Sequence, residues 1–198
     1  MYTLLKPLQV REELLQRNLR FFTSQDFIRI YKIPSYSVKY FLETQVKKGL
    51  FSRLKRGIYT LKTDVPSEEE IANSLYKPSY ISFEYALAYY NLIPEMVYTV
   101  TSATTKPTRL FDVSGKAFSY QTIKKEAFTG YSLNKIEGKN FLIAEKEKAL
   151  VDYLYFVSLK KSPENDRLET NGFDKEKIIF YSALFKNKRL NNLIKAFI

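Results

Sequence analysis

Apolar residues recur along this chain with two periods, close to 3.6 in some stretches and 2 in others, and the alternation of the two outlines its elements. Leu8, Leu14 and Leu15 predict a helix from Pro7 to about residue 18 with a partial apolar face, proline suiting its first turn. Arg20-Phe21-Phe22 reads as a short extended piece. Thr23, with Asp26 three residues on, approaches a capping box and predicts a short helix over 24–31. Pro34 keeps the residue before it out of the α region and ends that helix. Ser35 is a good N-cap for a third helix, which runs to Lys48 and stops at Gly49. On a wheel of about 100° per residue, Val38, Phe41, Leu42 and Val46 share one face with Gln45, and Tyr36, Tyr40, Glu43, Thr44 and Lys47 lie opposite. Two short strands follow, near 50–54 and 58–61, joined by a turn in which Gly57 can supply a positive φ.

A polar stretch, residues 62–67, reads as a linker. Ser67 then caps a helix opening on Glu68-Glu69-Glu70, which suits the positive end of a helix dipole. Ser82 is placed to cap a helix through about Tyr90, with Tyr85, Leu87, Ala88 and Tyr89 as apolar surface. "VYTVTSAT", 97–104, alternates as a strand, and hairpins are expected over 109–123 and 130–144, the second turning at Glu137-Gly138. "EKEKALVDYLYF" predicts a helix with Ala149, Leu150, Tyr153, Leu154 and Val157 on one stripe, its leading charges read as solvated caps. A polar loop, 160–172, precedes two helices near 174–185 and 188–197. The pattern as a whole is α+β.

Charge changes this picture. The 198 residues carry a net +11. Residues 1–62 hold 13 Lys and Arg against 4 Asp and Glu, and residues 63–198 hold 19 against 17. So one-sided an excess points to a polyanionic partner, nucleic acid first and a membrane surface second. No apolar run is long enough for a transmembrane helix, and the N-terminus has no secretory pattern, so the expected location is cytoplasmic.

Chemistry is sparse. Cysteine and histidine are both absent, which removes disulfides, thiol nucleophiles and the commonest general base and metal ligand. No phosphate-binding glycine loop or hydrolase motif occurs, and no cofactor is expected. Glu145 and Glu147, with Asp112, could be nominated for a small metal-dependent nuclease, a competing reading. "TSATTKPTRLF", 101–111, reads equally as an anion-binding loop or partner surface and as a polar turn whose hydroxyls satisfy backbone groups. The tyrosines and phenylalanines of the second region fall mostly at core spacing, although a module stacking on RNA bases is a further alternative.

Helix, short helix, turn, helix and basic hairpin is the order of a winged helix-turn-helix. "KKGLFSRLKRGIYTL", 47–61, has five cations and no anion and would include the wing. The candidate DNA-binding residues are therefore Tyr36, Ser37, Lys39, Tyr40, Thr44 and Lys47 on the third helix, and Arg53, Lys55 and Arg56 on the hairpin.

Three segments in order, "PSYISFEYALAYYNLIPEMVYTVTSATTKPTRLF", "FSYQTIKKEAFTGY" and "IAEKEKALVDYLYF", make the chain resemble the AbiEi-type antitoxins of bacterial abortive-infection (type IV toxin–antitoxin) systems, also described as transcriptional regulators of viral (phage) defence. That family usually has proline before the Glu-Lys of its last motif; here Lys146 precedes Glu147-Lys148, which changes how the helix starts. The resemblance implies a non-enzymatic protein of two domains. Residues 1–62 would form the winged helix, binding inverted repeats in operator double-stranded DNA and repressing its own operon. Residues 67–198 would be a mixed α/β antitoxin domain with antiparallel hairpins and C-terminal helices. That domain would counteract a nucleotidyltransferase-type toxin without a stable complex.

Overall fold

The computed structural model describes residues 5–136, 138–169 and 172–197. Outside the described residues lie the first four of the N-terminal segment, Glu137 of the second hairpin's turn, residues 170 and 171 of the polar loop, and residue 198. The chain is α+β and divides into two compact units, Met1–Ser67 and Glu68–Ile198.

The first unit consists of α1 (Pro7–Gln16), α2 (Ser24–Tyr31), α3 (Ser35–Lys47) and an antiparallel hairpin of β1 (Phe51–Lys55) and β2 (Ile58–Leu61). The capping box of α2 forms in full. The Asp26 N–H donates to the Thr23 hydroxyl and the Thr23 N–H to the Asp26 carboxylate. Helix α3 starts differently from the sequence expectation. Pro34 is its N-cap and no side chain caps it, so Ser35 is its first helical residue. The apolar face of α1 also differs. Val10 and Leu14, four apart, are the buried pair, and Leu8 is 73% exposed. The core joins Val10 and Leu14 to Phe22, Phe27, Val38, Leu42, Phe51, Tyr59 and Leu61. Phe22 is fully buried, with Phe27, Phe51 and Tyr59 ring centroids at 5.3, 4.9 and 6.2 Å.

The second unit opens with α4 (Glu68–Leu75) and β3 (Ser79–Ile81), followed by α5 (Phe83–Tyr89) and β4 (Val100–Thr104). The hairpins β5 (Arg109–Val113)/β6 (Lys116–Thr122) and β7 (Tyr131–Ile136)/β8 (Lys139–Ala144) come next. Helices α6 (Lys146–Ser158), α7 (Lys175–Leu184) and α8 (Lys188–Phe197) complete it. One six-stranded sheet has the order β5-β6-β4-β3-β8-β7. Both hairpins form as expected, but the sheet also contains two parallel pairings, β3 with β8 and β4 with β6. Helices cover both of its faces. Tyr120, level with Ser102 and through it with Ile81, donates its hydroxyl to the Ala72 carbonyl in α4. Tyr80, on the opposite pleat, donates to Asp152 in α6.

Candidate nucleic-acid interface

The outward surface of α3 is what remains after the core has taken the other face. Val38, Leu42 and Gln45 are buried, and Phe41 and Val46 are half-buried against the core. Phe41 lies 6.1 Å from the Phe27 ring and 6.2 Å from Phe51, which locks the helix to α2 and to the hairpin. Opposite, Tyr36 and Tyr40 are 69% and 74% exposed. Lys39, Glu43 and Lys47 are exposed, and Ser37 and Thr44 are half-buried. The structure thus brings the six α3 candidates onto one accessible side.

The hairpin is fastened to the helices by more than side chains. Phe22 and Tyr59 form an isolated antiparallel bridge, so the extended residue between α1 and α2 adds a third rung. Phe51 and Tyr59 join the core, Leu54 is buried as well, and Arg53 and Arg56 are exposed near the tip. Gly57 takes φ +87°, as the turn requires. Lys55 is half-buried and makes further interactions. A register shift between Arg53 and Lys55 kinks β1 next to that turn.

Ion pairing is uneven across this unit. Arg17 pairs with Glu13, Arg29 with Asp26 and Arg20 with Asp64. Those carboxylates pair part of the α1 and α2 side, where Arg11 and Lys32 have no ion pair among the described residues. Lys39, Lys47, Arg53 and Arg56 have no ion pair among the described residues. Lys39, Lys47, Arg53 and Arg56 are therefore available to an outside anion.

A groove of about 460 Å³ adjoins α3. Leu5, just before α1, and Pro7, its first residue, form part of its wall, with Ile33, Tyr36, Tyr40 and Phe41.

In the second unit the expected solvated caps of α6 are corrected. Glu147 is 3% exposed and Lys148 and Asp152 are fully buried, because α6 is enclosed on nearly every side. Lys148 pairs with Asp152 one turn on, and the same carboxylate accepts from the Tyr80 and Ser82 hydroxyls at 3.0 and 2.8 Å. The Ser82 hydroxyl is thereby committed to Asp152 and does not cap α5. Burial pushes Asp152 up and Lys148 down, each opposed by the charge of the other. The four-residue spacing of Lys148 and Asp152 is the one sequence signal that could have found this network.

Asp112 accepts from the Gly115 N–H of its own turn, while Glu145 pairs with Lys177. No group of three metal-ligating side chains occurs among the described residues. The hydroxyls of 101–108 bond largely to backbone: Thr101 donates to the Ser82 carbonyl, Thr104 to that of Pro78, and Thr108 accepts from the Thr122 N–H.

Residues 12–62 match the model of a family described as "Transcriptional regulator, AbiEi antitoxin". The match spans α1 from its sixth residue through the hairpin, so the similarity to that family lies in the first unit. The three motifs that carry the resemblance in the sequence lie outside the matched span. A search of curated proteins finds no match. No helix among the described residues is long and apolar enough to cross a membrane.

Proposed function

We propose that the first unit is a winged helix-turn-helix, with α3 as the helix that enters the major groove of double-stranded DNA and the hairpin as its wing. The observation that carries this reading is the division of α3. Its apolar face is used up by the core, its opposite face is exposed at Tyr36, Lys39, Tyr40 and Lys47, and Arg53 and Arg56, exposed on the hairpin, have no ion pair among the described residues. Tyr36, Ser37, Lys39, Tyr40, Thr44 and Lys47 would face bases and nearby phosphates; Arg53, Lys55 and Arg56 would hold phosphates beside the groove. The chain would then act as an antitoxin and autorepressor of a type IV operon. Residues 67–198 would counteract a nucleotidyltransferase-type toxin, without a stable complex. The family match over 12–62 supports the regulator half of this reading.

The test is a gel-shift comparison of DNA upstream of the chain's own coding region, a random duplex and tRNA. Preference for the upstream duplex is expected. Lys39→Ala and Tyr40→Ala should each weaken specific binding by about 1–3 kcal/mol with circular dichroism unchanged. Equal or tighter binding to tRNA would replace the DNA reading with an RNA-binding one.

A further inference from the structure

We propose that the groove beside Tyr36 and Tyr40 receives the C5-methyl group of a thymine in duplex DNA, an inference that rests on the DNA-binding reading of α3. Bases in the major groove are most often read by arginine on guanine and by asparagine or glutamine on adenine. Helix α3, "SYSVKYFLETQVK", has no arginine and no asparagine. Its one glutamine, Gln45, is 5% exposed and sits in the wall of the groove rather than on the exposed face. The usual hydrogen-bonding reader of an A·T pair is therefore missing from the exposed face.

The major groove marks an A·T pair by one other feature, the thymine methyl, which is read by apolar contact. The exposed face supplies that contact. Tyr36 and Tyr40 are one turn apart, so their side chains lie along one stripe of the helix. They occupy its N-terminal half, the part that meets base edges when such a helix enters the groove. Both rings border the apolar groove of about 460 Å³ that Pro7, Ile33 and Phe41 help to close.

Charge around the groove selects the partner. Lys48 lines it, and Lys39 and Lys47 stand exposed on the same helix, against one exposed carboxylate, Glu43. An apolar hollow rimmed by cations suits a polyanion that carries an apolar projection. Duplex DNA with thymine in its major groove is such a ligand; an uncharged apolar peptide is not.

The experiment uses the full chain and a duplex selected from a randomised 20-base-pair pool by repeated rounds of binding. Each thymine of the selected duplex is then replaced singly by deoxyuridine, which removes only the methyl group. At one or two positions the replacement should weaken binding about fourfold, the factor expected for one methyl group returned to water. Tyr40→Phe should keep that discrimination, because the ring and not the hydroxyl makes the contact. The double variant Tyr36→Ala/Tyr40→Ala should bind the thymine and uracil duplexes alike; both side chains are largely exposed, and circular dichroism checks that the fold is kept. The proposal is overturned if uracil is neutral at every position, or if the double variant discriminates as well as the wild type. Selected binding without a methyl effect overturns this inference alone. A pool from which no sequence is enriched overturns the DNA-binding reading with it.

Discussion

Phe22 and Tyr59 exchange both backbone hydrogen bonds, at 3.0 and 2.9 Å, and their rings stack with centroids 6.2 Å apart. One contact between a residue of the α1–α2 connection and a residue of the second strand thus sets where the basic hairpin stands relative to α3. Phe22 is the central aromatic of this core. Phe22→Ala should destabilise the first unit by about 3–5 kcal/mol through loss of the ring and the cavity it leaves. Urea unfolding followed by circular dichroism reads this directly. A loss under 1 kcal/mol would mean the hairpin is held by other contacts.

The buried pair of α6 gives a different kind of prediction. Asp152→Leu alone strands a Lys148 ammonium among the Tyr80 and Phe185 rings, which lie 5.6 and 5.1 Å from it. Breaking such a pair costs about 3–5 kcal/mol, whereas replacing both ions with apolar side chains costs far less. Lys148→Met/Asp152→Leu should therefore be more stable than either single variant in thermal melts, with a residual deficit from the Tyr80 and Ser82 hydroxyls left without an acceptor. Additive losses would show that the two ions are energetically independent.

Local sequence signals made the first unit readable. The capping box of α2 is an exchange between residues three apart, and the two faces of α3 follow from spacing alone. Signals that depend on distant partners were not readable. Strand β3 is three residues long, buried throughout, and paired in parallel with β8 more than sixty residues away, so it has neither alternation nor a turn to mark it. Val10 and Leu8 are equally apolar in sequence, and only packing decides which is buried. The polar ends of Lys148 and Asp152 read as solvent-facing until α6 is seen to be enclosed. The groove was hidden for the same reason: it forms where the start of α1 meets α3.

Alkaline pH should unfold the second unit through its tyrosines. Burial raises Tyr80 and Tyr120 far above their ordinary range, with the Asp152 charge adding to the effect at Tyr80. Burial, with the charge of Glu84 second, pushes Tyr153 up to about 12. In the unfolded chain these groups ionise near 10, roughly two units sooner for Tyr153. The folded state then holds protons that the unfolded state has released. Stability is therefore fully present below about pH 10 and falls as the pH climbs through about 12. Lys148, lowered by burial, acts in the opposite sense, but it is one group against several raised tyrosines, Tyr85, Tyr90 and Tyr181 among them. Absorbance at 295 nm and circular dichroism, followed together, should show a late tyrosinate step coincident with loss of structure. Complete ionisation near pH 10 with the fold intact would contradict the burial of these hydroxyls.

Phosphate contacts of the proposed wing should appear in the salt dependence. Arg53, Lys55 and Arg56 would touch phosphates, and each lost contact lowers the slope of log affinity against log salt by about 0.9 for duplex DNA. The triple alanine variant should lose affinity for specific and random duplexes alike. An unchanged slope would make the hairpin's charge a solvated surface.

Repression and antitoxicity, as proposed, should separate between the two units. Met1–Ser67 and Glu68–Ile198 are compact units, each with its own buried apolar residues, Phe22, Phe27 and Leu42 in one and Tyr120, Phe118 and Leu150 in the other. The charge excess belongs to the first: it ends near Lys62, and residues 63–198 are almost balanced. Attraction between exposed charges fades within about 10 Å at 0.1 M salt, so a DNA partner should need only the first unit for its electrostatic capture. The motifs resembling antitoxins lie in the second. A piece comprising residues 68–198 should therefore fold and rescue cells from the cognate toxin without repressing the operon. Residues 1–67 should retain weak, salt-sensitive DNA binding and give no rescue. Each piece is expressed with the toxin and, separately, with a promoter reporter. Rescue by 1–67 alone, or loss of rescue when the wing cations are replaced at equal protein levels, would make antitoxicity a consequence of repression and defeat this assignment.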